Sequence, residues 1–151
     1  MLTETSVENL SVEIVETIIV RAPIEITFES LIVQIGRQNE LPDGTPFPMV
    51  LEARPGGRWY RDLGGDNGHL WGHVQSIKRP TLLELYGPLF MSYPAANNMM
   101  YRLKEVDGGT EITFRHSAFG LIPEDHRGRM GDGWRSILSR IRARTEAMVK
   151  A

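Results

Sequence analysis

Met130-Gly131-Asp132-Gly133-Trp134-Arg135-Ser136-Ile137-Leu138-Ser139-Arg140-Ile141-Arg142-Ala143-Arg144-Thr145-Glu146-Ala147-Met148 is the stretch that decides the fold. Met130, Trp134, Ile137, Leu138, Ile141, Thr145 and Met148 recur at helical spacing and form one continuous stripe. Arg135, Arg140, Arg142 and Arg144 fall largely off it. Pro123 suits the first turn of that helix, and Glu124 and Asp125 favour its positive end. A stripe this long needs an apolar surface of equal length to cover it. Gly128, Gly131 and Gly133 lie in the early turns, where glycine is costly. They lead us to expect a bend there, or backbone pressed against a neighbour.

Working outward, the rest of the chain supplies that surface. Ser11 to Val20 is rich in β-branched residues and reads as a strand. Ile24, Phe28, Leu31, Ile32 and Ile35 then mark an amphipathic helix over 23–36, opened by Pro23 and closed by Gly36. Pro42, Asp43-Gly44, Pro46 and Pro48 make 39–48 a loop. Short strands follow at 49–54, 58–63, 69–78, 82–87, 98–106 and 110–118, with Pro55-Gly56-Gly57, Gly64-Gly65-Asp66-Asn67-Gly68, Pro80 and the hairpin signal Asp107-Gly108-Gly109 between them. The order is strand, helix, six strands, long helix. The expected class is α+β, one antiparallel sheet of about seven strands curved around the C-terminal helix. Such a sheet leaves room for a cavity beside the helix.

Composition narrows the function classes. At roughly 100–200 residues per domain, 151 residues form one domain, 1–151, with a core over about 12–149. The absence of cysteine excludes a disulfide scaffold and thiol chemistry, and it fits a cytoplasmic location. The N-terminus lacks a secretory pattern, so the sequon Asn9-Leu10-Ser11 is expected to be accidental. No apolar run is long enough to span a membrane. A net charge of −2 gives no general attraction to nucleic acid. Charge is uneven along the chain: 1–30 is acidic, while 123–151 is basic. Two faces attracting each other within the fold account for this, or else a basic docking face on the last helix.

Several short segments together resemble one superfamily. They are Val20-Arg21-Ala22-Pro23, Pro55-Gly56-Gly57-Arg58-Trp59, Gly72-His73-Val74, Gly109-Thr110-Glu111-Ile112-Thr113-Phe114 and Gly133-Trp134. In this order and spacing they resemble the START-like, helix-grip superfamily. The nearest branch is SRPBCC, close to proteins similar to activators of the heat-shock chaperone ATPase. The resemblance implies a helix-grip fold. It implies one of several activities: carriage of small molecules, polyketide cyclisation or chaperone activation. Members of the branch often carry a Trp shortly after the first helix, and residues 36–48 here have none.

The chemistry-bearing residues fit a binding pocket best. His69 and His73 are four apart; on a strand that spans about 13 Å, too far for one metal. Neither metal nor cofactor is expected. Strand alternation puts His69, Trp71 and His73 on one face. It also puts His116 on the apolar face with Ile112, Phe114 and Ala118, either as a core histidine bonded to a backbone carbonyl or pointing into the expected cavity to meet a ligand. Ser117, on the opposite face, cannot pair with it as a nucleophile. No nucleophile elbow, phosphate loop or dinucleotide turn is present. The apolar loop 88–95, Pro-Leu-Phe-Met-Ser-Tyr-Pro-Ala, is expected to lid the cavity, to bury itself in a homodimer or other homo-oligomer contact, or simply to pack on the domain. The expected wall is Trp59, Trp71, Tyr86, Tyr101, Phe114, His116 and Trp134. The reading is a small apolar or aromatic ligand held between strand seven and the last helix. The alternatives are a cyclase or hydrolase using His116 as general acid/base, or a chaperone-associated module using the Arg-rich helix face.

Overall fold

The computed structural model describes residues 10–150; the sequon's Asn9 lies outside them. Strand β1 (Ser11–Val20) leads through Pro23 into helix α1 (Ile24–Ile35). Then come β2 (Val50–Leu51), β3 (Arg58–Gly64), β4 (Asn67–Lys78), β5 (Leu82–Gly87), β6 (Ala95–Val106), β7 (Gly109–Gly120) and helix α2 (Glu124–Lys150). The strands form one antiparallel sheet in the order β1-β7-β6-β5-β4-β3-β2. This is the expected helix-grip arrangement. The strand expected at 49–54 shrinks to two residues, because Glu52 and Arg54 leave the ladder to meet the turn before β3. Strand β6 starts at Ala95, three residues before the expected start at Asn98, by pairing with the end of β7.

Alternation decides what faces inward. Ile112, Phe114, His116 and Ala118 on β7, Met99, Tyr101 and Leu103 on β6, and Leu83 and Leu85 on β5 are all buried. Helix α2 brings Met130, Trp134, Leu138, Ile141 and Thr145 against that core. Met148, the last member of the expected stripe, is 55% exposed, since α2 runs past the core there. The acidic and basic ends of the chain do meet within the fold: Arg135 pairs with Glu16 at 2.7 Å, and Glu146 accepts the backbone N–H of Arg21 at 2.8 Å.

The two sides of the sheet differ in regularity. β1–β7 and β6–β7 pair without a break. β3–β4 slips twice and β4–β5 once. One slip leaves Trp71 without a partner, since Trp59 faces Gly72 while Tyr60 faces Leu70. A bulge of this kind bends the strand and raises its twist. Close approach of β4 to the end of β5 also depends on glycine: a Cβ on Gly72 would lie 2.4 Å from the Tyr86 carbonyl oxygen.

Of the two expectations for the early glycines of α2, close backbone contact fails. A Cβ on Gly128 or Gly133 would meet nothing within 4 Å, and one on Gly131 would meet only the Arg135 guanidinium. No backbone presses on them; Gly133 instead borders an open space.

Candidate functional site

That space is a half-open pocket of about 470 Å³ between the first half of α2, the end of α1, the loop 39–47 and the β3–β4 end of the sheet. Ile35, Phe47, Trp59, Trp71, Phe90, Met130, Trp134 and Ile137 supply its apolar wall. The chain's three tryptophans all border it. Trp71 is the hub. Its ring lies 5.2 Å from Trp59, 5.9 Å from Phe47 and 5.6 Å from Phe90, centroid to centroid. The Trp59 indole N–H donates to the carbonyl of Ile35 at 2.9 Å, so its polar edge is satisfied and its ring is held.

The expected wall is therefore divided. Trp59, Trp71 and Trp134 come together around the pocket. Tyr86 does not join them: it is 45% exposed and stacks on His73 on the outer face. Its neighbours Leu83 and Leu85 take the inner positions, so alternation sends Tyr86 outward. The bulge at Trp71 likewise separates it from His73, against the expectation of one shared face. Tyr101 and Phe114 are core, their rings 4.7 Å apart behind Trp134.

His116 faces inward as alternation requires, yet it meets Trp134 rather than the void. The Trp134 indole N–H donates to His116 Nδ1 at 2.9 Å. His116 Nε2 then carries the proton and donates to Asn97 Oδ1 at 2.7 Å. Asn97 is oriented in turn by donating to the carbonyls of Gly87 at 3.1 Å and Pro88 at 3.3 Å. Burial, with a smaller contribution from His126, pushes the His116 pKa down to about 4, so the ring is neutral near pH 7. A neutral imidazole with both nitrogens bonded inside the protein is a spacer that holds Trp134. It is not a free acid or base.

The mouth is built from residues that sequence reasoning passed over. Phe90 turns from the loop toward the pocket, while its neighbours Leu89 and Met91 are buried in the core. The loop is thus part mouth and part core. His126, in the first turn of α2, lies 5.0 Å from Phe90 and bonds through Nδ1 to the Tyr93 hydroxyl. Burial lowers its pKa, as does Arg129, while Asp125 opposes them. On the other rim Arg140 pairs with Glu40 at 2.5 Å and donates to the carbonyl of Pro42 at 3.0 Å, fastening the loop to α2. Asn97 carries no signal in the sequence, because the apolar pattern starts the strand after it. Phe90 and His126 carry no local signal of a shared site. Among the described residues no cluster of three or more His, Asp or Glu is placed to hold a metal ion. No helix among them is long and apolar enough to cross a membrane.

Residues 42–146 match the family model described as Activator of Hsp90 ATPase homolog 1-like protein. The chain belongs to this family. Solved structures agree on the fold. An uncharacterised protein from Rhizobium leguminosarum superposes with a TM-score of 0.71 at 18% identity, covering 91% of this chain and 95% of that one. Protein CV1439 from Chromobacterium violaceum gives 0.69 at 15%, covering 89% and 96%. The di-domain ARO/CYC StfQ from the steffimycin biosynthetic pathway gives 0.68 at 11%; it covers 96% of this chain but 54% of that protein. No curated protein matches the sequence. The fold is common ground; these identities carry nothing finer.

Proposed function

We propose that this member of the Activator of Hsp90 ATPase homolog 1-like family binds one small, flat, mainly aromatic molecule in the pocket beside α2. The observation that supports this reading is the convergence of Trp59, Trp71, Trp134, Phe47 and Phe90 on one half-open space of about 470 Å³. Ligand sites generally have apolar walls, a few hundred Å³ of space and sparse polar groups. Aromatic side chains left facing a void offer their surface to a guest whose rings can stack or meet them edge-on. Catalysis through His116 gains no support, because the ring is sealed behind Trp134.

N-phenyl-1-naphthylamine tests the reading directly. It should bind the native protein saturably with roughly micromolar affinity. The bound probe should quench tryptophan emission strongly, since every tryptophan borders the pocket. Ile137→Trp, which fills the space from α2, should abolish binding. Non-saturable binding, or binding that survives this variant, would show that the probe sits elsewhere.

The family description favours a second reading, contact with a chaperone ATPase. The basic face of α2 argues against its serving as the docking surface, because Arg135, Arg140 and Arg144 are engaged with Glu16, Glu40 and Gln34. Stimulation of Hsp90 ATPase turnover by the purified chain would establish that reading.

A further inference from the structure

One polar side chain on the pocket wall has no work in the fold. Asn39 is 94% buried, at 6% exposure, and borders the pocket. Its main chain is fully engaged: its N–H donates to the Gly36 carbonyl at 3.1 Å, and its carbonyl accepts from Phe47 N–H at 2.8 Å. The adjacent Glu40–Pro46 bridge and the Glu40–Arg140 pair fix the segment further. Its side-chain amide makes no hydrogen bond to any described residue. Nor is it sealed in protein, since among the described residues only the Ser30 hydroxyl is a fully enclosed side-chain group without a partner. The space that Asn39 borders is the pocket.

A buried polar group without a partner is costly, and such groups in folded proteins call for a specific explanation. Here the backbone around Asn39 is held at both ends, the amide has no partner among the described residues, and the residue lines the cavity. Leu41 and Ile35 beside it show that an apolar residue would suit this wall equally well.

We infer that Asn39 is the polar anchor of the pocket, and that the ligand is an aromatic molecule bearing a hydroxyl or carbonyl group that bonds to this amide. The inference rests on the proposed pocket and adds its specificity. The amide supplies both a donor and an acceptor, so a hydroxyl can be held at either end of the same bond. The aromatic walls take the ring system, and Asn39 sets its direction. Asn39 is a binding residue in this scheme, with no part in holding the fold.

A matched pair of probes tests it. 2-Naphthol and 2-methylnaphthalene have nearly the same shape and differ in hydroxyl against methyl. Each is titrated to displace N-phenyl-1-naphthylamine from the intact protein. 2-Naphthol should bind about tenfold tighter than its methyl analogue, the size of one good hydrogen bond in a desolvated site. In Asn39→Leu, of similar size, that preference should vanish while 2-methylnaphthalene binds as before. Removing an idle buried amide should also raise the melting temperature of the unliganded protein by roughly 2–4 °C. Equal binding of the two probes to the unaltered protein overturns the anchor and leaves the pocket standing. So does a preference that survives Asn39→Leu. A fall in melting temperature assigns Asn39 to the fold and overturns the anchor too. If N-phenyl-1-naphthylamine itself does not bind, the pocket fails and the anchor with it.

Discussion

Beneath β1 and β7 the sheet and α2 close on one another, while beneath β3 and β4 they stand apart. The closed side is a chain of rings and alternating aliphatics: Tyr101 on Phe114, and Phe114 on Trp134 with centroids 4.8 Å apart. The open side is the pocket bordered by Trp59, Trp71 and Phe47. The same helix serves both. The difference lies in the strands. β1 and β7 pair in unbroken register along their length, and β7 presents Phe114 and His116 to Trp134 of α2. β3 and β4 slip at Trp59/Tyr60 and again at Asp62/Gly64, and the sheet curls away. Regular pairing fills an interior, and broken pairing opens one. Trp134 stands on the boundary, one side of its ring against His116 and Phe114, the other bordering the pocket.

Removing the boundary residue should have the largest effect. Trp134→Ala should cost about 3–5 kcal/mol, because it empties a large buried site and leaves His116 Nδ1 without its donor. Denaturant unfolding measures this. A loss under about 1 kcal/mol would mean that the closed side does not depend on α2 at this position.

Acid should attack the closed side next. His116 has a pKa near 4 in the folded protein, below the ordinary value of 6.5. The unfolded chain therefore takes up its proton first as the pH falls. The stability from the neutral ring is fully present above about 6.5 and is lost progressively between about 6.5 and 4, by about 3 kcal/mol in all. Unfolding free energies across this range, compared with His116→Gln, isolate the contribution. The variant's curve should be flatter by that amount. Parallel curves would show that the imidazole is not desolvated as the Trp134–His116–Asn97 chain requires.

Added volume gives the smallest effect and the sharpest contrast. Ala118 is buried beside His116 on the closed side, and Ile137 borders the pocket. Ala118→Leu should cost about 1–3 kcal/mol by overpacking. Ile137→Trp should cost less than about 1 kcal/mol, since the void receives the added ring. Equal costs, read from melting curves, would mean that the two sides are packed alike.

Much of this comparison can be read along the chain, and its decisive part cannot. The alternation Ile112, Phe114, His116, Ala118 turns His116 inward, and the stripe Met130 to Thr145 turns α2 to the sheet. Alternation in β5 also sends Tyr86 outward, a reading open to the sequence, since Leu83 and Leu85 compete for the core. By contrast, nothing near Trp71 in the chain announces the bulge that turns its ring toward Trp59. Asn97 reads as loop until β7 is there to pair with it.

The amino-acid sequence by itself determined the elements, their order and which side of each is apolar, because periodicity and turn chemistry are settled within a few residues. Only the tertiary structure decided where the interior stays open and which polar groups face it. Those outcomes depend on the register between strands and on contacts between distant segments: Trp59 on the Ile35 carbonyl, Arg140 on Glu40, Trp134 on His116. A void is a property of surfaces that fail to meet, and no single segment records how far it will stand from another.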